Sequence, residues 1–183
     1  MTRVRSDVSI RPYEDGDFGV LCALLGDPEM TRFLGGPESD EALAARHARY
    51  LSADSATHGI FTILVGADRV ATGWVGFWES DWEGEATWEC GWHVLPQFQG
   101  AGIATAAVRL ALECAKAKRR HQYADAFPAV GNAASNALCR RLGFSALREV
   151  DVEYPKGQTM HAMHWRYDLH PPHSREEAGL SCR

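Results

Sequence analysis

The spacing of apolar positions in the first third of the chain changes from that of a strand to that of a helix. Residues 8–13 alternate as a strand, and residues 15–26 place apolar side chains at helical intervals. A second helix is predicted from Pro37 to about Leu51, because a proline and three acidic residues crowd its first turn. This third of the chain is therefore predicted to be β-α-α.

The middle of the chain has the period of strands. Apolar and β-branched residues are concentrated in three runs bounded by turn residues, which are 60–65, 70–79 and 85–95. The connecting turns are predicted at 66–69 and at Asp81-Trp82-Glu83-Gly84. Short turns between consecutive strands favour an antiparallel meander.

Helices and strands alternate again in the last part. The pattern predicts a helix over 100–118, a strand over 122–127, a helix over 132–142 closed by Gly143, and a hairpin of 144–154 with 159–168. The complete order is β-α-α-β-β-β-α-β-α-β-β. We predict one α/β domain of the α+β kind over residues 8–168, with flexible tails at 1–7 and 169–183.

Composition narrows the class of partner. The chain has 183 residues, of which 45% are hydrophobic, enough for one continuous core. Its net charge of −5 offers no basic field for nucleic acid and favours an amine-bearing partner. Five cysteines without a Cys-x-x-Cys pair, no signal peptide and no membrane-spanning run predict a cytoplasmic protein. The oligomeric state stays open, a homodimer included.

The segment from Val94 to Thr105 carries the clearest chemistry. An apolar strand end is followed by a glycine-bearing turn and an alanine-rich helix. The first turn of a helix has four N–H groups without internal partners and a partial positive charge, so it can hold a phosphate group. Gly100 and Gly102 have no Cβ to keep a ligand at a distance. The segment therefore predicts an anion site.

A dinucleotide fingerprint is the rival interpretation of this segment. Gly100-x-Gly102 fits its first half, and Asp125 stands at a suitable distance for its acidic residue. Thr105, however, occupies the place of the third glycine, and residues 96–99 make the loop longer than that tight turn. We therefore disfavour a nicotinamide cofactor.

The spacing Gln99-x-x-Gly102-x-Ala104 resembles the Gln/Arg-x-x-Gly-x-Gly/Ala motif of the GNAT superfamily of acetyl-CoA-dependent N-acetyltransferases. The flanking segments 89–96, 132–136 and 142–144 are similar to the adjoining motifs, and 11–15 with 27–34 resemble the branch of ribosomal-protein N-terminal alanine acetyltransferases. The resemblance implies a mixed, mostly antiparallel sheet of six to seven strands, splayed between the fourth and fifth, with about four helices. It also implies acetyl-CoA as co-substrate.

The resemblance assigns the cofactor site. The backbone of Val94 and Leu95 would bond the amides of the cofactor arm in the manner of a strand. The pyrophosphate would be held by Gln99, Gly100, Ala101, Gly102, Ile103, Ala104 and Thr105. Asn132 and Asn136 would bond the pantetheine or neighbouring backbone, and Asn132 is also well placed as a helix N-cap.

Three residues are candidates for catalysis. Glu89 matches the acidic position of the family strand motif and is the candidate base, acting through water, with His93 on the same strand face as runner-up. Ser135 matches a serine that the branch holds near the cofactor sulfur. Cys139 stands where many members have a general-acid tyrosine, and a small buried thiol is the expected role there.

The acceptor side is less well defined by the sequence. We assign it Phe33 and Trp82, the latter as an exposed aromatic residue in an acidic turn that could receive a cationic amine. No metal is predicted, since His161 and His164 point to opposite faces of a strand. The expected activity is acetylation of a protein N-terminal α-amine or a small amine. The alternative is a non-catalytic acyl-CoA-binding regulatory module.

Overall fold

The structure is a computed structural model and describes residues 7–171. Within that range the elements occur in the predicted order. They are β1 (Val8–Pro12), α1 (Phe18–Leu25), α2 (Asp40–Leu51), β2 (His58–Val65), β3 (Val70–Trp82), β4 (Glu85–Val94), α3 (Ile103–Ala117), β5 (Tyr123–Ala126), α4 (Ala133–Leu142), β6 (Ser145–Glu153) and β7 (Thr159–Asp168). Single 3₁₀ turns at Asp15–Asp17 and Pro96–Phe98 precede α1 and α3.

The strands form one seven-stranded sheet in the order β1-β2-β3-β4-β5-β7-β6. Every neighbouring pair is antiparallel except β4 and β5, which are parallel. That parallel pair has only two register positions, Trp88 with Ala124 and Glu89 with Asp125. β4 continues to Val94 beside β3 alone, so the sheet splays open beyond Glu89. The predicted mixed, mostly antiparallel and splayed sheet is confirmed.

Helices cover both faces of the sheet. α3 places Ile103, Ala107 and Ala111 at helical spacing into the larger core cluster, which also contains Cys139 of α4 and Trp88. α1 and α2 cover the other face, where their leucines pack with Tyr13, Ile60 and Trp74. No helix within residues 7–171 combines the length and the apolar character that crossing a bilayer requires.

Several element boundaries differ from the prediction by a few residues, among them those of α2, β3 and α3. α2 begins at Asp40 rather than near Pro37, because Ser39 is its N-cap and accepts a hydrogen bond from the N–H of Ala42. β3 runs through Asp81 to Trp82, so the turn consists of Glu83 and Gly84 only. α3 begins at Ile103 rather than at residue 100, because the turn that precedes it contains left-handed backbone.

The C-terminal boundary of the domain is also later than predicted. Leu169, assigned above to a flexible tail, is buried in the core, and its backbone N–H donates to the carbonyl oxygen of Gln122. At the other end, the carbonyl of Asp7 accepts a hydrogen bond from Gly66. The remainder of both predicted tails, residues 1–6 and 172–183, lies outside the described residues.

Candidate active site

A cleft of about 1170 Å³ lies where β4 and β5 separate. One wall consists of the end of β4, the loop into α3 and the first turns of α3 and α4. The opposite wall comes from the segment after α1, from α2, from β3 and from the end of β6. Elements from both faces of the sheet therefore contribute to the lining of the cleft.

The predicted anion site forms one end of this cleft. Gly100 and Gly102 have φ angles of +75° and +83°, and a Cβ at either position would meet no atom within 4 Å. Ile103 is buried and fixes the start of α3, while Ala101, Gly102, Ala104 and Thr105 are at least partly exposed. The turn at Gly100 and Gly102 thus borders open space next to the first turn of α3, whose N–H groups have no partner within the helix.

Arg141 of α4 extends this anion site and was not predicted. Its Nη1 atom lies 3.3 Å from Thr105 Oγ1, so its positive charge stands beside the first turn of α3. The cradle is therefore the first turn of α3, the turn at Gly100 and Gly102, and Arg141. In the sequence, Arg141 is one of two basic residues in the last turn of α4, a pattern that helix polarity alone explains.

The side chain of Gln99 closes the loop from inside. Its Nε2 atom donates to the carbonyl oxygen of Val94 over 2.8 Å and lies 3.5 Å from the sulfur of Met30. The backbone N–H of Gln99 is also paired, since it donates to the carbonyl oxygen of Pro96. Gln99 therefore shapes the cradle from behind.

The backbone of β4 offers different groups from those predicted. Leu95 has no free group, because its N–H donates to Thr72 and its carbonyl accepts from Phe98. Its predicted pairing with a cofactor arm would require one of these two hydrogen bonds to open. Since successive residues of a strand direct their backbone groups to opposite sides, those of Trp92 and the N–H of Val94 point away from β3 into the splay. Val94 keeps its predicted position, and Trp92 replaces Leu95.

The start of α4 forms the other rim of the cleft. Asn132 is the N-cap, as one of its two predicted roles requires, and its Oδ1 accepts from the N–H of Ser135 over 3.1 Å. Ser135 lines the cleft. Asn136 is hydrogen-bonded within the protein at both ends of its amide: Nδ2 donates to the carbonyls of Ala129 and Asn132, and Oδ1 accepts from Trp165 Nε1 over 2.8 Å. Asn136 therefore anchors α4 to β7 and bonds neighbouring backbone, which is one of its two predicted roles.

Cys139 is enclosed in the core beneath this helix. The side chain has no solvent exposure, and burial raises the pKa of its thiol to about 12. A thiol of that pKa beneath the helix is a packing group, which confirms the small buried thiol expected at this position.

Glu89 stands at the fork where β4 leaves β5. It is half-buried, and burial raises the pKa of its carboxyl group above the ordinary value. Ser80 and Trp78 of β3 partly oppose this by hydrogen bonding, whereas the charge of Asp125 adds to the increase. A carboxylate with a raised pKa in a cleft is suited to accept a proton.

His93 lies on the same face of β4 but far from Glu89. Four residues of strand separate their backbones by roughly 13 Å, so the two cannot act on one reacting amine. The ring stacks on Trp74 at 5.3 Å, and its Nδ1 atom is enclosed without a hydrogen-bond partner. Burial, with a smaller effect from Arg46, lowers the pKa of His93 to about 4, so the imidazole is neutral at pH 7 and a weak base.

The two predicted acceptor residues both line the cleft, but in different settings from those expected. Trp82 is the last residue of β3 rather than part of an exposed turn. Its ring is half-buried and packs 4.6 Å from Phe127 and 5.4 Å from His164. Phe33 lies in the turns after α1, next to Gly131, with the guanidinium of Arg32 4.8 Å from its ring centre.

Further aromatic and charged residues complete the acceptor wall. No local pattern selects them for this site, because their contacts come from distant elements. Trp74 and Trp78 of β3 lean over Gly91, and Tyr50 of α2 packs 5.6 Å from Trp74. Among residues 7–171, no three histidine, cysteine or acidic side chains are grouped so that they could hold a metal ion.

A family model described as an acetyltransferase (GNAT) domain matches residues 7–145. Solved structures resemble the fold. A spermidine N-acetyltransferase from Vibrio cholerae, in complex with CoA and spermine, has a TM-score of 0.72 at 18% identity, with 88% of this chain and 95% of that chain covered. A putative acetyltransferase from Salmonella typhimurium, with acetyl-CoA, gives 0.67 at 20% identity and coverages of 97% and 100%.

The ribosomal α-N-protein acetyltransferase RimL, in complex with coenzyme A, has a TM-score of 0.69 at 16% identity, with 88% of this chain and 93% of that chain covered. No curated protein sequence is significantly similar to this chain. The family model spans most of the domain, from β1 to the beginning of β6, and includes the cradle, β4 and α4. The chain belongs to the GNAT acetyltransferase family.

Proposed function

We propose that this protein transfers the acetyl group of acetyl-CoA to a primary amine by direct attack within a ternary complex. The observation that carries the proposal is the continuity of one cleft. A cradle for phosphates, open strand backbone and a half-buried carboxylate with a raised pKa follow one another along it. In that order, these groups would bind the diphosphate of a thioester, bind its extended arm, and take the proton of the attacking amine.

The cradle fits the phosphates of acetyl-CoA. Backbone N–H groups of α3 bind the pyrophosphate, and Arg141 adds a positive charge beside Thr105. The arm then runs along β4, where Trp92 and Val94 offer backbone groups on the splay side. Two of the similar structures hold CoA and one holds acetyl-CoA, which supports this choice of ligand.

Glu89 takes the proton of the amine, directly or through one water. The amine nitrogen attacks the thioester carbon, a C–N bond forms, the C–S bond breaks, and the thiolate leaves with the electron pair of that bond. Ser135 donates a hydrogen bond to the thiolate, which lowers the cost of its departure. His93 does not take part as a base, because it is distant from Glu89 and its pKa is about 4.

The acceptor is an amine, either a protein N-terminal α-amine or a small molecule. It enters from the side of α1 and α2, between Phe33 and Trp82. Similar structures include acetyltransferases for spermidine and for a ribosomal protein, so the fold serves both classes. An α-amine with a pKa near 8 is about one tenth neutral at pH 7 and needs less help from a base than an alkylamine does.

Glu89→Gln tests this mechanism. Turnover should fall further for an acceptor amine of high pKa than for one of low pKa, because only the former depends strongly on assisted deprotonation. Glu113→Gln, on the exposed side of α3, is the matched control and should leave both rates unchanged. Equal rates for wild type and Glu89→Gln with both amines would exclude Glu89 as the base.

A non-catalytic acyl-CoA-binding module is the second candidate. The burial of Cys139 favours it, since this thiol cannot supply the proton that a tyrosine supplies in many relatives. Release of CoA across a panel of amines, measured beside a melt with acetyl-CoA, separates the two. Binding without CoA release from any amine would select the module.

A further inference from the structure

A row of charged side chains crosses the sheet at the fork of the cleft. Glu89 of β4 is in register with Asp125 of β5, and Asp125 is in register with Arg166 of β7. Residues in register on neighbouring strands project from the same face. Glu89, Asp125 and Arg166 therefore lie side by side on one face of the sheet.

Asp125 and Arg166 form a bidentate ion pair. Arg166 Nε donates to Asp125 Oδ1 and Nη2 donates to Oδ2, both over 2.8 Å, and Nη1 reaches Glu85 at 2.6 Å. The Asp125 side chain has no solvent exposure. Burial raises the pKa of Asp125, but the hydrogen bonds from Arg166, together with the nearby ring of His164, outweigh it and the pKa is lowered. Asp125 is thus a fixed negative charge next to Glu89.

The other groups around this pair are His164 and the side chains of β3. His164 Nε2 lies 3.2 Å from Asp125 Oδ1, but it is not aligned for a hydrogen bond. Ser80 and Trp78 contact Glu89 and carry no charge. Among the residues that the structure describes, Asp125 is the charged group whose field acts on Glu89.

We propose that Arg166 is a positioning residue for the reaction: by pairing with Asp125 it offsets part of that negative charge, and so keeps Glu89 ionised and able to accept the proton of the amine. The inference rests on the proposed role of Glu89. Without Arg166, the buried carboxylate of Asp125 would face Glu89 with its full charge, and two neighbouring carboxylates resist joint ionisation. Arg166 touches neither substrate nor cofactor and acts through Asp125 alone.

Two substitutions in the same ion pair should therefore have opposite effects. Asp125→Asn removes the negative charge and leaves the positive charge of Arg166, so the acid limb of kcat/KM should move to lower pH by about one unit. Arg166→Gln leaves Asp125 without its partner, so the limb should move to higher pH by about one unit. A purely structural ion pair would give both variants the same behaviour, because each breaks the same contact.

The experiment is a pH–rate profile of kcat/KM with one acceptor amine, so that the ionisation of the substrate is common to all variants. Arg148→Gln, which breaks the exposed pair between Arg148 of β6 and Glu83 in the turn before β4, is the control and should not move the limb. Near-wild-type melts with acetyl-CoA establish that each variant is folded. A variant that does not fold is replaced by Asp125→Ser or Arg166→Met, which make the same changes of charge and for which the same directions are expected.

Shifts in the same direction, or no shift in either variant, would overturn the inference. Glu89→Gln in the same series distinguishes a failure of this inference from a failure of the proposed function. If Glu89→Gln abolishes the acid limb while the two ion-pair variants leave it in place, the role of Arg166 is wrong and Glu89 is still the base. If Glu89→Gln retains the limb, the assignment of Glu89 itself is wrong.

Discussion

Gly102→Ala should separate the contribution of the cradle to ligand binding from its contribution to folding. Gly102 has a φ of +83°, and a Cβ there would point into open space on the side of the cleft. In the free protein the methyl group meets no atom, so the only cost is the left-handed backbone. In the complex the same methyl group would lie where the phosphates approach the N–H groups of α3.

Gly66 provides a matched control for this substitution. It lies in the turn between β2 and β3, has a φ of +77°, and a Cβ there would also meet no atom within 4 Å. A left-handed conformation costs an alanine about 1–2 kcal/mol. Both variants should therefore lose about 1–2 kcal/mol of stability without ligand, which corresponds to roughly 2–8 °C in Tm for a chain of this size.

Acetyl-CoA distinguishes the two variants. At about 100 times its Kd, a ligand adds roughly 2.7 kcal/mol to the free energy of unfolding, and a tenfold weaker affinity reduces this to about 1.4 kcal/mol. We expect the full stabilisation in wild type and Gly66→Ala, and at most half of it in Gly102→Ala, in thermal melts at one acetyl-CoA concentration. The same stabilisation in both variants would refute the placement of the phosphates at Gly102.

Other predictions concern the opposite rim, the cradle and the acid stability. Ser135→Ala should slow amines of high and low pKa alike, by roughly 5- to 150-fold for a lost hydrogen bond of about 1–3 kcal/mol; unequal slowing in steady-state assays would contradict a role at the thiolate. Arg141→Met should weaken CoA binding by roughly tenfold and reduce its salt dependence in calorimetry at two salt concentrations, and an unchanged affinity would place Arg141 outside the cradle. His93 has a pKa of about 4 in the folded protein, below its unfolded value near 6.5, so the unfolded chain takes up the proton first and stability falls as the pH drops from about 6.5 to 4. His93→Asn should remove part of that loss in urea melts at pH 7 and pH 4.5, and an identical loss would contradict the burial of this ring.

Features that depend on neighbouring residues were predictable from the sequence. The order of elements follows from hydrophobic period, and the Asn132 cap and the Gly143 terminus of α4 follow from local backbone chemistry. The glycines of the cradle belong to the same class, because a left-handed turn before a helix requires them. For these positions a few adjacent residues contain the whole physical reason.

Features that depend on strand register were not predictable. Val94 and Leu95 are equivalent in the sequence, and only the hydrogen bond of Leu95 to Thr72 decides which of them faces the splay. The hydrogen bond from Trp165 to Asn136 joins residues that are 29 positions apart, so no local pattern of the sequence indicates it. Trp82 was placed in a turn, because its packing against Phe127 and His164 could not be seen before β3, β5 and β7 were assembled.

The parallel pairing of β4 with β5 extends over only two register positions, so it joins two groups of strands only weakly. Strands β1 to β4 form one group, and β5, β7 and β6 form the other. Beyond Glu89, β4 and β5 are no longer paired in the described residues. A ligand whose phosphates bind α3 and whose arm lies along β4 fills the cleft between these two groups of strands. Ligand binding would then also make the sheet more rigid, because the extended arm takes the place of the strand pairing that is missing beyond Glu89. Release of the product would remove this link between the two groups of strands.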